Sequence, residues 1–97
     1  MKRVEEIEII LSKYKEELRE EFKVKEIGIF GSCARGENKK TSDVDILVEF
    51  EEPVSLLGLV RLENHLSELL GRKIDLVPKS DIRPELKERI LKEAIYL

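Results

Sequence analysis

Two β-rich runs flank a leucine-rich segment, and this arrangement constrains the fold more than any other feature of the chain. The first run is Val44–Phe50, with alternating apolar residues, and the second is KIDLVP at residues 73–78. Between them, residues 56–70 carry leucines at helical spacing, with Ser55 as a candidate N-cap and Gly71 as a natural helix end. A strand–helix–strand unit of this kind predicts two parallel strands joined by a right-handed crossover.

The rest of the chain supplies one more strand and two more helices. Residues 3–22 have the apolar periodicity of an amphipathic helix, and residues 24–30 form a short β-rich run closed by Gly31. A last helix is predicted from Pro84 to about Tyr96. We therefore expect an α/β (α+β) fold with a small mixed three-stranded sheet, in the order α-β-(turn)-β-α-β-α. Helices should cover one face of this sheet, and residues 1–97 should form a single domain.

Charge and hydropathy exclude several classes of protein. The net charge of −3 gives no general attraction for polyanions, so nucleic acid is disfavoured as a direct partner. No apolar run approaches the roughly 18 residues of a membrane span, and the N-terminus does not resemble a signal peptide. A single cysteine, Cys33, cannot form an internal disulfide and is interpreted as a tolerated spacer. A cytoplasmic soluble domain is the expectation.

Three aspartates are predicted to meet at one edge of the sheet. If the first two strands are antiparallel, Gly31 and Ser32 at the end of one lie beside Asp43 and Asp45 at the start of the next. Asp75, early in a strand parallel to the second, should reach the same edge. Residues i and i+2 of a strand share a face, so Asp43 and Asp45 project together. Carboxylates held this close repel one another unless a cation lies between them, and Mg²⁺ prefers such oxygen ligands.

The glycine turn beside these aspartates suits a phosphate group. Gly31 permits the backbone to approach a phosphate closely, and Ser32 offers a hydroxyl and a backbone N–H at a helix start. The guanidinium of Arg35 can bind phosphate oxygens. A nucleoside triphosphate with Mg²⁺ fits this set best. A P-loop is excluded, because Gly36 should be followed by lysine and is followed by Glu37.

Each of these residues also has a structural interpretation. Asp43 could simply begin a strand, Asp45 could be an exposed strand residue, and Arg35 could be a solvated loop charge. Ser42 is a candidate ligand or, equally, a turn or capping residue. The combination with the glycine turn and Asp75 favours a metal site over the separate structural roles.

The segment GSCARGENKKTSDVDILVEF, residues 31–50, resembles the signature of the minimal nucleotidyltransferases, the shortest branch of the polymerase-beta-like superfamily. The pattern is Gly-Ser, ten residues, then Asp-x-Asp. The ARG at residues 34–36 and the SD at residues 42–43 also match, and Asp75 supplies the expected third acidic residue. The resemblance extends over nearly the whole chain.

The resemblance implies a role for each matching residue. Asp43 and Asp45 would bind a pair of catalytic Mg²⁺ ions. Asp75 would complete the metal site and help to activate the attacking hydroxyl. Gly31, Ser32 and Arg35, with Ser42 as a further candidate, would hold the triphosphate of ATP. These glycine, serine and arginine residues all lie within the motif at residues 31–43.

The resemblance further implies an antitoxin, paired with a small helical HEPN-type toxin and transferring AMP from ATP to a hydroxyl of that partner. Larger relatives carry an additional helical domain for the base and the acceptor, so the acceptor is expected to arrive on another macromolecule. Two alternatives stay open. One is a binding-only antitoxin with little or no turnover, and the other is a nucleotide-sensing module of the same fold.

Overall fold

The structure, a computed structural model, describes residues 3–35 and 43–97. Helices and strands alternate after an N-terminal helical pair. The helices are α1 Arg3–Lys13, α2 Lys15–Phe22, α3 Gly31–Ala34, α4 Leu56–Leu70 and α5 Pro84–Glu93; the strands are β1 Val24–Phe30, β2 Val44–Phe50, β3 Ile74–Pro78 and β4 Ile95–Tyr96; a 3-10 turn spans Lys79–Asp81.

The strands form one mixed sheet in the order β3-β2-β1-β4. β1 is antiparallel to β2, and β2 is parallel to β3, so the predicted mixed sheet and parallel crossover are confirmed. Helix α4 makes that crossover, and its ends are the predicted ones. Ser55 Oγ accepts a hydrogen bond from Gly58 N–H at 3.1 Å, and Gly71 closes the helix in the left-handed conformation with φ 63°.

The prediction of three strands was wrong, because β4 adds a fourth. Helix α5 ends at Glu93 instead of continuing to about Tyr96, and Ile95 and Tyr96 pair antiparallel with Ile29 and Gly28 of β1. A Cβ atom at position 28 would lie 3.2 Å from the Ile95 carbonyl oxygen. Glycine at this position therefore allows β4 to pair closely with β1. A two-residue strand has no periodicity to detect, and its pairing with β1 depends on a distant partner.

The N-terminal helix is divided at Tyr14, which the sequence did not predict. Tyr14 has φ −100° and ψ 8°. Its N–H still bonds Ile10 O at 3.2 Å, and its own carbonyl accepts from Leu18 N–H at 2.9 Å. Backbone hydrogen bonding continues on both sides of the break, so the apolar spacing of residues 3–22 carries no sign of it.

Helices pack on both faces of the sheet, so the expectation that they cover one face was wrong. On the first face, α1, α2 and α4 contribute buried leucines and isoleucines. On the second face, α5 packs against Phe30, Leu47 and Ile82. The residues buried on the first face include Ile7, Leu11, Leu18, Ile27, Ile29, Val44, Ile46, Val48, Leu62, Leu66, Ile74 and Leu76.

The strand β2 explains why a second helical layer is needed. Its residues alternate between the two faces of the sheet. Ile46 and Val48 belong to the first face and Leu47 to the second, yet Leu47 is buried as well. Burying a leucine side chain contributes about 1.5–3 kcal/mol, which favours a cover over that face. Helix α5 provides it through Ile90, Leu91 and Ala94. No helix within residues 3–35 and 43–97 is long and apolar enough to cross a membrane.

Candidate active site

The strand register brings two of the three predicted aspartates side by side. Asp45 of β2 is the direct partner of Asp75 in β3, and on its other side Asp45 is paired with Phe30 at the end of β1. Both aspartates alternate with residues of the first core, so they lie on the α5 side of the sheet. Gly31 follows Phe30 immediately. The predicted meeting of the glycine turn, Asp45 and Asp75 at one sheet edge is therefore what the topology produces.

Asp45 is the electrostatic centre of this edge. Burial, repulsion from Asp75, a hydrogen bond with the Asp75 side chain and repulsion from Asp43 together raise the pKa of Asp45 from 3.8 to about 6, with burial the largest cause. The charge of Arg35 acts in the opposite direction. Asp45 is half-buried, whereas Asp43 and Asp75 are exposed. Negative charge at this edge therefore lies partly on Asp45, a carboxylate with restricted access to water.

Gly31 accommodates the Asp45 carboxylate as well as an unusual backbone. Its φ is +73°, in the left-handed region that favours glycine. A Cβ atom at this position would overlap Asp45 Oδ2 and lie 3.1 Å from its Cγ. Sequence reasoning proposed this glycine for close approach of a phosphate, and it did not foresee the contact with Asp45.

The short helix α3 connects the glycine turn to Arg35. The Arg35 N–H bonds Gly31 O at 3.1 Å, which closes the turn, and Ser32 occupies its second position. Cys33 is fully buried within the first core. The interpretation of Cys33 as a spacer was therefore wrong, because its side chain anchors the turn to the core beneath it. Free cysteine commonly packs as a small hydrophobic residue.

Arg35 forms an ion pair with Glu93, a residue that sequence reasoning missed. Arg35 Nη1 donates to both carboxylate oxygens of Glu93, at 3.0 Å to Oε1 and 3.2 Å to Oε2. Glu93 is the last residue of α5, and the two residues are 58 positions apart in the chain. An ion pair over that separation leaves no local pattern. The one signal was an acidic residue at a helix C-terminus, where cations are favoured.

The remaining predicted ligands lie at the border of the described structure. Asp43 precedes β2 and is exposed, and its neighbour Val44 is fixed by an N–H bond to Lys73 O at 2.9 Å. Ser42 lies outside the described residues, which do not include 36–42.

The donor set suits a divalent cation at the paired aspartates. Two carboxylates in contact, one of them half-buried and retaining its proton to about pH 6, are a pair whose repulsion a hard cation would relieve. Within residues 3–35 and 43–97, no three His, Cys, Asp or Glu side chains are grouped to hold a metal together. Asp45 and Asp75 are the contacting pair, and Asp43 lies near enough for its charge to raise the pKa of Asp45.

An open groove of about 780 Å³ lies away from these carboxylates. It is found where β2 and β3 end, whereas the aspartates are near where those strands begin. Its lining includes Phe50, Leu56, Leu59 and Pro78, and none of the three aspartates takes part. The groove does not contribute to the chemistry of the carboxylate edge.

Comparison with known proteins gives consistent matches. The profile of the nucleotidyltransferase domain family matches residues 11–97. The protein adenylyltransferase MntA of Thermococcus cleftensis is 53% identical over 94 residues, which cover 97% of this chain and 95% of that protein. A solved structure provisionally assigned as a minimal nucleotidyltransferase has a TM-score of 0.78 at 38% identity, covering 94% and 95% of the two chains. A crystal structure of an MntA toxin–antitoxin complex has a TM-score of 0.71 at 25% identity, covering 89% of this chain and 69% of that one.

Proposed function

The chain belongs to the nucleotidyltransferase domain family, and from that membership we propose that it transfers AMP from ATP to a hydroxyl group of a partner protein. The membership confirms the resemblance identified from the Gly-Ser and Asp-x-Asp pattern. We propose further that residues 1–97 act as one minimal domain in the cytoplasm, and that the reaction depends on Mg²⁺.

One observation carries the proposal: the Asp45–Asp75 pair beside the Gly31 turn. Asp45 and Asp75 are register partners from strands separated by α4, and the glycine backbone leaves no room for a Cβ against Asp45. A carboxylate pair with one half-buried member, acted on by the charge of Arg35, supplies both signs of charge within one small region. Phosphoryl-group transfer needs this combination, because catalysis rests on positioning and charge stabilisation.

The proposed reaction is an in-line substitution at the α-phosphorus of ATP. The acceptor oxygen bonds to this phosphorus, the bond to the bridging oxygen breaks, and pyrophosphate leaves with the electron pair. Asp45 and Asp75 would hold the cation, with Asp43 beside them, and Arg35 would bind phosphate oxygens. A bound Mg²⁺ supplies positive charge that stabilises the phosphate oxygens. Asp75, which is exposed, would accept the proton of the attacking hydroxyl.

The proposed acceptor is a side chain of a small helical HEPN-type toxin. The MntA complex is a toxin–antitoxin assembly, and the relative from Thermococcus cleftensis is a protein adenylyltransferase. Exposure of Asp43 and Asp75 leaves the edge accessible to a macromolecule. A protein is favoured over nucleic acid, because a chain of net charge −3 does not attract polyanions.

A binding-only antitoxin is the second candidate. It rests on the similarity to an MntA toxin–antitoxin complex, which supports an antitoxin without bearing on turnover. The two candidates make the same complex but differ in turnover, so a covalent readout separates them.

The test is intact-mass spectrometry of the co-purified partner after incubation with ATP and Mg²⁺. The proposal predicts mass increases in multiples of one adenylyl group, carried by a hydroxyl side chain such as tyrosine. Asp45→Asn should abolish the increase, whereas Asp81→Asn, at an exposed position in the 3-10 turn, should leave it unchanged. Binding without any mass increase would favour the binding-only antitoxin.

A further inference from the structure

Glu93 is placed at the carboxylate edge by two separate anchors. Before it, α5 packs Ile90 and Leu91 against the second core, and its last turn closes with Ala94 N–H bonded to Ile90 O at 3.0 Å. After it, Ile95 pairs with Ile29 of β1. The backbone on both sides of Glu93 is therefore fixed relative to β1, the strand that leads into the Gly31 turn.

The position of Glu93 is unfavourable for its own helix. A negative side chain at a helix C-terminus opposes the helix dipole and is unfavourable for the helix. Arg89, one turn earlier, offers limited compensation, since its Nε is 3.9 Å from Glu93 Oε1 and its side chain is 70% exposed. A local conflict of this kind is expected where a residue serves a contact elsewhere. That contact is with Arg35.

The Arg35 guanidinium is paired with Glu93, and its charge also favours the ionised form of Asp45. Its contacts with Glu93 run through Nη1, at 3.0 Å to Oε1 and 3.2 Å to Oε2. A flexible arginine loses conformational entropy when it binds a ligand, and a fixed carboxylate partner removes part of that cost in advance.

We propose that Glu93 is a positioning residue, which holds the Arg35 guanidinium at the carboxylate edge so that it is oriented for the triphosphate. The inference rests on the proposed function, because it takes Arg35 to be a phosphate ligand. It assigns a role to the C-terminal segment: helix α5 and strand β4 together deliver one carboxylate to the arginine that follows the glycine turn.

The experiment measures ATP binding by calorimetry in the presence of Mg²⁺ and again with chelator, for the wild type and Glu93→Gln. We expect Glu93→Gln to weaken ATP about fivefold, since the ion pair is partly exposed. Adenosine, which has no phosphate, should bind as it does to the wild type. In an Arg35→Ala background, Glu93→Gln should have no additional effect. Glu93→Asp, which keeps the charge, should recover part of the affinity and serves as the test if Glu93→Gln does not fold.

The matched control is Glu88→Gln, on the same helix, where the glutamate is exposed and lies 3.8 Å from Lys92. It should change neither ATP nor adenosine binding. The inference is overturned if Glu93→Gln leaves ATP affinity unchanged or increases it, if adenosine weakens equally, or if the effect persists without Arg35. A wild type that binds no ATP would overturn the proposed function and this inference together, which distinguishes that failure from the others.

Discussion

Replacing Gly31 with alanine tests the geometry of the carboxylate edge without requiring a substrate. Gly31 and Gly71 both have left-handed backbones, with φ +73° and +63°, but only the Cβ at 31 would meet another group. An L-residue in this conformation costs about 1–2 kcal/mol, partly offset by about 0.4–1 kcal/mol from the less flexible unfolded chain. Gly71→Ala should therefore lose about 1 kcal/mol of unfolding free energy.

Gly31→Ala should lose more, because the new methyl group must displace the Asp45 carboxylate and disturb its hydrogen bond with Asp75. Overpacking of this kind costs about 1–3 kcal/mol, which gives a total loss of about 2–4 kcal/mol. For a domain of this size, each kcal/mol lowers the melting temperature by about 4–8 °C. Urea titration and thermal melting of both variants measure the difference.

Removing the carboxylate supplies the control. In an Asp45→Ala background the nearest group left is the Cβ of residue 45, at 3.3 Å, and Gly31→Ala should then cost about as much as Gly71→Ala. Equal losses for the two glycine variants in the wild-type background, or an undiminished loss at 31 without the carboxylate, would refute the placement of Asp45 against the turn.

Three further predictions follow from the same residues. Because the pKa of Asp45 is raised, the folded state binds more protons than the unfolded state between about pH 4 and 6. This group therefore adds stability as the pH falls through about 6. Asp45→Asn should remove that part of the pH dependence of stability and raise the melting temperature at pH 7. ATP and Mg²⁺ together should raise the melting temperature more than either alone, and equal ATP affinity with Mg²⁺ and with chelator would contradict this. Leu47→Ala should cost about 2–5 kcal/mol in chemical denaturation, because Leu47 is buried beneath α5; a loss near zero would contradict the second core.

The convergence of Asp45 and Asp75 was predictable because it follows from rules that act over short stretches. A strand–helix–strand unit has one favoured handedness, and the leucine periodicity of residues 56–70 identifies the helix. The parallel register that this unit imposes then sets the two aspartates side by side.

The parts that were missed depend on contacts between distant segments. Strand β4 is two residues long and exists through its pairing with β1, for which Gly28 was an unrecognised signal. Glu93 meets Arg35 only after α5 has crossed the second face of the sheet. The burial of Leu47 was missed because the alternating pattern of β2 also fits a strand with only one buried face.

Placement of an isotope label shows whether the α-phosphate of ATP is transferred to a protein hydroxyl, as proposed. The complex with its partner would be incubated with Mg²⁺ and ATP labelled at either the α- or the γ-phosphate, and the protein would then be separated under denaturing conditions. The account predicts that the partner retains label from the α-phosphate and none from the γ-phosphate, and that Asp45→Asn abolishes it. Label retained from the γ-phosphate, or none from either position, would contradict the account.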